Sequence, residues 1–351
     1  MTCSDASISM RPIGQTRLSV TELGFGAASL GNLYREVDDA TAKHTLQVAI
    51  DAGMRYVDTA PYYGFGLSER RVGDVLRAVA RDEFVLSTKV GRILEPVPEH
   101  EGSEERYGFL SPMPFEPRFD YSYDAIMRSF EDSMQRLGLA RIDILFVHDI
   151  GTITHGEAND AHMKDLMDSG YRALDELRSG GLINAIGLGV NEFEICELAM
   201  EFGQFDCFLL AGRYTLLEQE ALTSFLPKCA SHGATVVIGG AYNSGILATG
   251  TRSGKTAYYN YAPAPESVIQ HVRRIEAVCD AHGVELASAA LQFPLAHAQV
   301  SCVIPGLGSP RRIAQTLLQY RSNIPSDFWS ELKHEALVRE DAPTPGGDVS
   351  P

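Results

Sequence analysis

The stretch MRYVDTAPYYGFGLSE (residues 54–69) holds one short apolar segment, one loop and the start of one amphipathic segment. The apolar run ends on Asp58, and Tyr62 and Tyr63 follow in the loop. A buried strand does not favour aspartate, and a simple turn does not require tyrosines. The stretch therefore predicts a β–α unit whose connecting loop is a candidate functional segment.

Seven further apolar segments, rich in valine, isoleucine and leucine, alternate with amphipathic stretches in the same way. With residues 55–59, the strand candidates are 20–28, 84–90, 142–149, 183–190, 206–214, 235–242 and 300–307. Several amphipathic stretches begin at Asp, Ser or Pro and end at Gly, as helices do. Strands that are apolar throughout are typical of parallel sheets covered on both faces. About eight such units predict an α/β protein with a single (β/α)₈ TIM barrel, and a doubly wound sheet is the alternative.

Two observations favour the barrel over the doubly wound sheet. No shift in composition marks a domain boundary, and polar residues end several different strands. These residues are Asp58, Lys89, His148, Asn191 and Tyr214. Barrel active sites are assembled at that end of the strands. We expect one barrel domain over residues 11–340 and a disordered tail over 341–351.

Composition and charge exclude several classes of function. A formal net charge of −16 argues against a nucleic-acid or anionic-membrane partner, because phosphate binding requires clustered Lys and Arg. No apolar run is long enough to span a membrane, and the N-terminus does not resemble a signal peptide. The 6 cysteines are scattered without a CxxC pair, which indicates reduced thiols and no metal site. We expect a cytoplasmic protein that acts on a small-molecule substrate.

Two irregular segments interrupt the alternation. Residues 92–119 and 243–265 show no usable periodicity, and they follow the third and seventh strand candidates. Irregular segments of this length in a compact domain are either lids or disordered regions. Because both follow the carboxyl ends of strands, we expect lids over the active site.

Four polar residues form a chemically consistent set: Asp58, Tyr63, Lys89 and His148. An ammonium beside a phenol stabilises the phenolate, which makes tyrosine usable as a general acid or base. A carboxylate offsets the cost of burying that ammonium, and a histidine can orient a substrate oxygen. Taken singly, Asp58 fits a helix N-cap, Lys89 a strand-end charge and His148 a core histidine.

The order and local sequence of these residues resemble the aldo-keto reductase family over about residues 11–325. The matching motifs are LGFGAASLG (23–31), AIDAGMRYVDTAPYYGFGLSE (49–69), LSTKVG (86–91), SFEDSMQRLGLARIDILFVHD (129–149), IGLGVNE (186–192) and IPGLGSPRRIAQ (304–315). The resemblance implies a (β/α)₈ barrel that transfers a hydride between a nicotinamide cofactor and a carbonyl or alcohol. It assigns the catalytic tetrad to Tyr63, Lys89, Asp58 and His148.

The resemblance also implies contacts to the cofactor. The implied residues are Gly26, Ala27, Asp58, Asn191, Tyr214, Gly239, Gly306, Gly308, Arg312 and Gln315. Asn191 matches the asparagine that holds the nicotinamide carboxamide. The chain departs from the family at Ala211, where a glutamine is usual, and at Gly239, where many members place a stacking tyrosine. Tyr242 is the candidate replacement for that tyrosine.

The choice between NAD and NADP depends on two positions of the last motif. NADP-preferring members clamp the 2′-phosphate with a lysine and an arginine. Gly306 stands at the lysine position here, and Arg312 matches the arginine. A single guanidinium compensates a phosphate less well than a Lys–Arg pair does. We expect NAD as the cofactor, with NADP as the alternative.

Within the family, the segments around residues 119–149 and 236–247 resemble the aldose dehydrogenase branch. This resemblance implies oxidation of a cyclic hemiacetal, from an aldose such as L-fucose, L-galactose or D-arabinose or from pyridoxal, to a lactone. Candidate substrate contacts in the loops are Tyr62, Tyr107, Phe109 and Tyr258, with Phe115, Tyr259 and Tyr261 as further aromatic candidates. The alternatives are an NADPH-dependent aldehyde or ketone reductase and a non-catalytic nicotinamide-binding partner protein. A Schiff-base aldolase using Lys89 on the same fold is a further alternative.

Overall fold

Eight parallel strands, labelled β1 to β8 in chain order, form the centre of the molecule. The computed structural model describes residues 7–99 and 104–347. The strands are Phe25–Gly26, Tyr56–Asp58, Val85–Val90, Ile144–His148, Ala185–Val190, Cys207–Ala211, Thr235–Gly239 and Val300–Ile304. Each strand pairs with its neighbour in chain order. Parallel bridges from Leu23 to Val303 and from Gly26 to Gly306 join β1 to the β8 end. The predicted barrel is therefore confirmed.

One helix follows each strand on the outside of the barrel. These helices, α1 to α8, are Asp39–Asp51, Leu67–Leu76, Tyr123–Leu137, Tyr171–Ser179, Glu194–Phe202, Phe225–His232, Glu266–His282 and Pro310–Arg321. Helix α1 begins after Asp38, whose carboxylate accepts from Thr41 N, and α8 begins after Ser309, which accepts from Arg312 N. Additional helices occupy Thr152–His155, Asn159–Asp165, Ile246–Thr249, Leu286–Gln292 and Ser326–His334.

An antiparallel hairpin closes the amino-terminal end of the barrel. Its strands are Met10–Pro12 and Ser19–Thr21. Ile13 and Val20 of this hairpin are buried in one cluster with alternate residues of the barrel strands, such as Ile144 and Phe146 of β4. Alternation of this kind identifies the inward face of a strand. The carboxyl ends of the strands, at the opposite end, remain available for a site.

The two irregular segments contain more regular structure than expected. In the first, strands Arg92–Pro96 and Phe115–Phe119 pair as an antiparallel ribbon after β3. In the second, Tyr258–Tyr259 pairs with Ala262–Pro263 after β7. The periodicity is hidden because proline occurs in these strands and because the partners of the first ribbon are distant in sequence. Residues 100–103 of the first segment lie outside the described residues.

The carboxyl-terminal segment differs in part from the disorder that we expected. Residues 341–347 follow the last helix, and Ala342 is buried in the core cluster. Burial of Ala342 fixes the chain there, which sequence composition alone does not reveal. Residues 348–351 of the expected tail lie outside the described residues.

The described part of the chain carries buried free thiols and has neither a metal-ligand cluster nor a helix able to span a membrane. Cys196, Cys207, Cys229, Cys279 and Cys302 are free and buried, and Cys3 lies outside this part of the chain. Within residues 7–99 and 104–347, no cluster of His, Cys, Asp or Glu could hold a metal ion. No helix in these ranges has the length and apolar character needed to cross a membrane.

Candidate active site

Lys89 connects three groups at the carboxyl end of the barrel. From the end of β3, its Nζ donates to Asp58 Oδ2 at 2.7 Å, to the carbonyl oxygen of Thr59 at 2.9 Å and to Tyr63 Oη at 3.0 Å. Lys89 and Asp58 are each only 1% exposed. An ammonium has three N–H donors, so the buried amine is fully used by these partners. This arrangement fixes the distance between the cation and the phenol.

The loop after β2 places Tyr63 by close backbone packing. Gly64 has a φ of +64°, which favours glycine. A Cβ at Gly31 would lie 2.5 Å from the carbonyl carbon of Tyr63, so only glycine lets the β1 loop approach it. The amide of Ser68 donates to the Tyr63 carbonyl at 3.1 Å as α2 begins. The glycines of the motifs thus have a positional function beside the tetrad.

A chain of hydrogen bonds extends from Asp58 into the barrel. Ser87 Oγ donates to Asp58 Oδ1 at 2.7 Å, and the hydroxyls of Ser87 and Tyr56 lie 2.9 Å apart.

Burial alone would lower the pKa of Lys89, but the charge of Asp58 and the contacts to Tyr63 raise it above the ordinary value. Lys89 is therefore cationic at neutral pH.

Burial governs the acid–base behaviour of Tyr63. It raises the pKa of the phenol above the ordinary value, and the ammonium of Lys89 offsets part of that shift. The expected net lowering by Lys89 therefore does not occur in this structure, because the loss of hydration outweighs the attraction. The pKa of Tyr63 is still lower than burial alone would make it, because the ammonium of Lys89 stabilises the phenolate.

His148, at the end of β4, faces the same site as an uncharged ring. Burial lowers its pKa well below the ordinary value, and the cations Arg92 and Lys89 add to the shift. Its ring centroid lies 6.0 Å from that of Tyr63. Tyr121 Oη donates to the backbone carbonyl of His148 at 2.9 Å. A neutral imidazole can contact a substrate oxygen without adding a charge.

Two adjoining cavities open at this end of the barrel. The inner cavity, about 390 Å³, is lined by Tyr63, Lys89 and His148 and by aromatic side chains of the loops. The outer cavity, about 460 Å³, extends to the β8 loop and the start of α8. Ala28, Leu33, Tyr34, Asn191, Ala211 and Tyr261 line both. Together the cavities form one groove that begins at the tetrad.

The outer cavity suits a nicotinamide cofactor. Ser29 lines it, and among the described residues its buried Oγ has no hydrogen-bond partner. No described atom lies within 4 Å of the position that a Cβ would take at Gly306. Small residues of the β6 and β7 ends, Ala211 and Gly240, leave the rest of the wall open. A free hydroxyl and exposed backbone along an open groove can hold an extended polar ligand.

The predicted cofactor residues fall into two groups. Asn191, Gly306, Gly308 and Arg312 line the outer cavity, and Gln315 lines a small cavity beside Arg312 and Tyr242. Asp58 is buried and bonded to Lys89, and it lines neither main cavity. The described walls of these cavities also do not include Gly26, Ala27, Gly239 or Tyr214. Their places are taken by neighbours, Ala28 and Ser29 on one side and Gly240 on the other.

The structure does not place Tyr214 at the cofactor groove, where its position after β6 led us to expect it. Its side chain is fully buried, with its ring centroid 5.5 Å from that of Phe293 and 5.6 Å from that of His297. The positive φ of Gly212 marks a turn after β6, and the chain beyond it enters the core. Sequence position relative to a strand end does not reveal such a turn.

Three of the four predicted substrate residues line the inner cavity: Tyr62, Tyr107 and Phe109. Tyr258 does not belong to its described wall, since it lies about half exposed in the ribbon of the second lid. Tyr261, at the end of the turn of that ribbon, lines both cavities instead. The backbone at Tyr261 has a φ of +63°, and this turn directs the chain to the site.

Two further residues of the inner cavity were not singled out from the sequence. Arg92 begins the first lid ribbon, and Asp149 directly follows His148. Their side chains form an ion pair. Arg92 directly follows the motif at residues 86–91, and Asp149 is the last residue of the motif at 129–149. Their positions beside Lys89 and His148 are the sequence feature that could have identified them.

Asn191 couples the inner cavity to the second lid. Its Nδ2 lies 3.4 Å from Asp149 Oδ1, and its Oδ1 accepts from Tyr261 Oη at 3.3 Å. Arg213 Nε donates to the Asn191 carbonyl at 2.7 Å. The amide that is expected to contact the nicotinamide is thus held by groups from both sides of the groove.

A Tyr–Lys–Asp–His set at the carboxyl end of a (β/α)₈ barrel, with the Lys, Asp and His buried, is typical of a nicotinamide-dependent oxidoreductase. The sequence profile of the Aldo/keto reductase family matches residues 22–335, and the chain belongs to this family. It is therefore an NAD(P)-dependent oxidoreductase, as its motifs predicted.

Similar proteins of established name cover almost the whole chain. Pyridoxal 4-dehydrogenase from Microbacterium luteolum is 44% identical over 338 residues, which covers 93% of this chain and 97% of the relative. D-threo-aldose 1-dehydrogenase from a Pseudomonas species is 39% identical over 331 residues, covering 93% and 96%. Among solved structures, an aldo-keto reductase from Bacillus halodurans in its holo form is similar with a TM-score of 0.73. It is 24% identical, covers 95% of this chain and 97% of that one, and supports the fold.

Proposed function

We propose that the protein oxidises the cyclic hemiacetal of a small substrate, an aldose or pyridoxal, to the corresponding lactone. The observation that carries the proposal is the contact of Lys89 Nζ with Tyr63 Oη, 3.0 Å long, at the floor of an aromatic cavity. The similarity to two dehydrogenases whose substrates form cyclic hemiacetals supports this choice. A lactol presents one hydroxyl and one hydrogen on the same carbon, which suits a site with one proton acceptor.

Each group of the tetrad has a separate part in the reaction. Tyr63 accepts the proton of the hemiacetal hydroxyl, and Lys89 stabilises the phenolate that takes it. Neutral His148 donates a hydrogen bond to the substrate oxygen and orients it. Asp58 holds Lys89 in its charged form. When bound, the nicotinamide cofactor supplies the hydride acceptor, so that the C–H and O–H bonds break and a C=O bond forms.

We infer that NAD is the preferred cofactor. Arg35 and Arg312 are the arginines of the described outer cavity wall, and Gly306 presents no side chain where a lysine would be expected for NADP. In NADP-preferring members a lysine and an arginine hold the 2′-phosphate together, and here Arg312 has no cation at position 306 beside it. A cytoplasmic location and the absence of a nucleic-acid partner remain predictions from the sequence.

The test is a panel of lactols with both cofactors. Formation of the reduced nicotinamide is followed by absorbance with L-fucose, L-galactose, D-arabinose and pyridoxal. Turnover of at least one compound with NAD, together with lactone detected in the product, supports the proposal. If none is oxidised and only aldehyde reduction by NADPH is observed, the proposed direction and substrate class are wrong.

A further inference from the structure

The inner cavity contains a second ion pair that the tetrad does not use. Arg92 and Asp149 both line this cavity, and the side chains are 8% and 16% exposed. The carboxylate oxygen Oδ2 of Asp149 that pairs with Arg92 also lies 3.5 Å from His148 Nε2. The pair is therefore adjacent to the group that contacts the reacting oxygen.

The guanidinium of Arg92 packs against two aromatic rings. Its central carbon lies 3.8 Å from the ring centroid of Tyr62 and 4.4 Å from that of Phe119. Rings that cover the faces of a guanidinium leave only its edge for hydrogen bonds. Among the described residues, the buried Nε of this edge has no partner. The guanidinium of Arg92 thus lies in the wall of the inner cavity with one N–H that no described residue uses.

The charges around the inner cavity balance in pairs. Lys89 is paired with Asp58, and Arg92 with Asp149. A substrate of large net charge would disturb this balance, whereas a neutral molecule with separated charges would be complementary to it. Aromatic rings of Tyr62, Tyr107 and Phe109 enclose the same space, which suits a flat ring.

We propose that Arg92, supported by Asp149, selects a substrate whose aromatic ring carries an anionic oxygen next to the hemiacetal carbon. This inference rests on the proposed function and names its substrate class: a 3-hydroxypyridine lactol, as in pyridoxal, in place of an aldose. In such a lactol the ring oxygen stands on the ring atom adjacent to the one that bears the reacting carbon. With the hemiacetal hydroxyl at Tyr63 and His148, that oxygen faces Arg92.

The 3-hydroxypyridine lactols differ from aldoses in the charges that they carry. The ring oxygen is a phenolate and the ring nitrogen is protonated, so the substrate is neutral overall but dipolar. A charge-assisted hydrogen bond from a guanidinium is stronger than one between neutral groups. Asp149 holds the guanidinium in place and keeps the site neutral. An aldose has no anionic oxygen for which a buried arginine is required.

The experiment compares two substrates that differ in the groups under test. Pyridoxal is compared with the cyclic form of 2-(hydroxymethyl)benzaldehyde, which has the same fused lactol but lacks the ring oxygen, the ring nitrogen and the ring methyl group. We expect the wild-type enzyme to show a kcat/KM for pyridoxal that is at least about 10-fold higher. Replacing Arg92 by Met should lower that kcat/KM about 10- to 100-fold and change the value for the benzaldehyde lactol less than about 3-fold.

A matched control lies on the same lid ribbon. Arg118 pairs with Glu95 at 2.8 Å, and both side chains are about half exposed. Replacing Arg118 by Met removes the same charge from the same ribbon without touching the cavity wall. We expect this variant to keep the wild-type ratio between the two substrates.

Two outcomes overturn the selection of this class. One is a wild-type enzyme that oxidises both lactols equally well or that accepts only aldoses, a comparison that requires no variant. The other is an Arg92→Met or Arg92→Lys variant that loses both activities in parallel, which indicates a structural function. In both cases lactol oxidation is still observed with the wild type, whereas failure of the proposed function would leave no lactol oxidised.

Discussion

Lys89 Nζ donates a 3.0 Å hydrogen bond to Tyr63 Oη, and it lies 4.5 Å from the centroid of the same ring. The ammonium therefore contacts both the oxygen and the π face of the phenol. This relationship depends on the carboxylate of Asp58, since an unpaired ammonium would be costly at 1% exposure.

Replacing Tyr63 by Phe removes the proton acceptor and leaves the ring. We expect kcat for lactol oxidation to fall by about 10²- to 10⁴-fold, the usual contribution of general acid–base catalysis. The dissociation constant for NAD, measured by fluorescence quenching, should change less than about 3-fold. Tyr123→Phe, on α3 and outside both cavity walls, is the matched control and should retain turnover. Activity that survives in Tyr63→Phe would contradict the assignment of the base.

Replacing Lys89 by Met leaves Asp58 buried without its cation. We expect the free energy of unfolding in urea to fall by about 3–5 kcal/mol. The double variant Lys89→Met/Asp58→Asn removes both charges and should recover part of that loss, but neither variant should turn over substrate. If the single variant is as stable as the wild type, the charge of Lys89 does not hold Asp58.

The rate of oxidation should increase with pH. Tyr63 is a base only when deprotonated, and burial raises its pKa with partial compensation by Lys89. A raised pKa moves the rising limb of kcat/KM to higher pH, so the limb lies on the alkaline side of neutrality. His148 remains neutral across this range because its pKa is lowered. A pH-independent kcat/KM from neutral to alkaline conditions would count against Tyr63 as the titrating group.

Replacing Gly306 by Lys should shift the cofactor preference toward NADP. The position is open and lines the outer cavity with Arg312. A second cation there could pair with a 2′-phosphate, and we expect the NADP affinity to increase about 10-fold relative to NAD. Gly306→Gln, of similar length without charge, is the control. An unchanged ratio of the two dissociation constants would place the 2′ position elsewhere.

Acid should destabilise the protein partly through His155. Burial, with nearby His162 and Arg92, lowers its pKa to about 4. Because the folded pKa lies below the unfolded value of about 6.5, the unfolded state binds more protons between the two values. The contribution of this residue to stability is therefore present above about pH 6.5 and is lost as the pH falls toward about 4.

The corresponding measurement is Tm against pH for His155→Gln. Between about pH 7 and about pH 4.5, Tm should fall less in the variant than in the wild type. The exposed residue His44, on α1, provides the matched substitution His44→Gln, which should follow the wild type. Equal losses of Tm in all three proteins would show that His155 has no part in the acid effect.

Sequence patterns indicated the barrel because its determinants are local. Each β–α unit carries its own apolar strand, helix start and glycine end, so strands such as the one within residues 142–149 could be identified one by one. The four residues of the tetrad could be predicted from the sequence for a related reason. Asp58, Lys89 and His148 each end a strand, and parallel strands of a barrel bring those ends together.

Loop contacts were only partly accessible in this way. Residue type and loop position named Tyr62, Tyr107 and Phe109 as candidates, and all three line the inner cavity. The ribbon formed by Arg92–Pro96 and Phe115–Phe119, however, depends on pairing across a long insertion, and the sequence ranked Tyr258 above Tyr261 although only Tyr261 lines the site. Such contacts depend on turn geometry and on partners that are distant in the chain, neither of which leaves a periodic signal.

The sequence by itself therefore determined the family and the barrel, and it predicted the four residues of the proton-transfer set. Only the tertiary structure decided that Tyr214 belongs to the core, that burial outweighs Lys89 in setting the pKa of Tyr63, and that Arg92 pairs with Asp149 beside His148. The physical reason is that burial and the pairing of charges are properties of the packed barrel, and they arise only when distant segments meet.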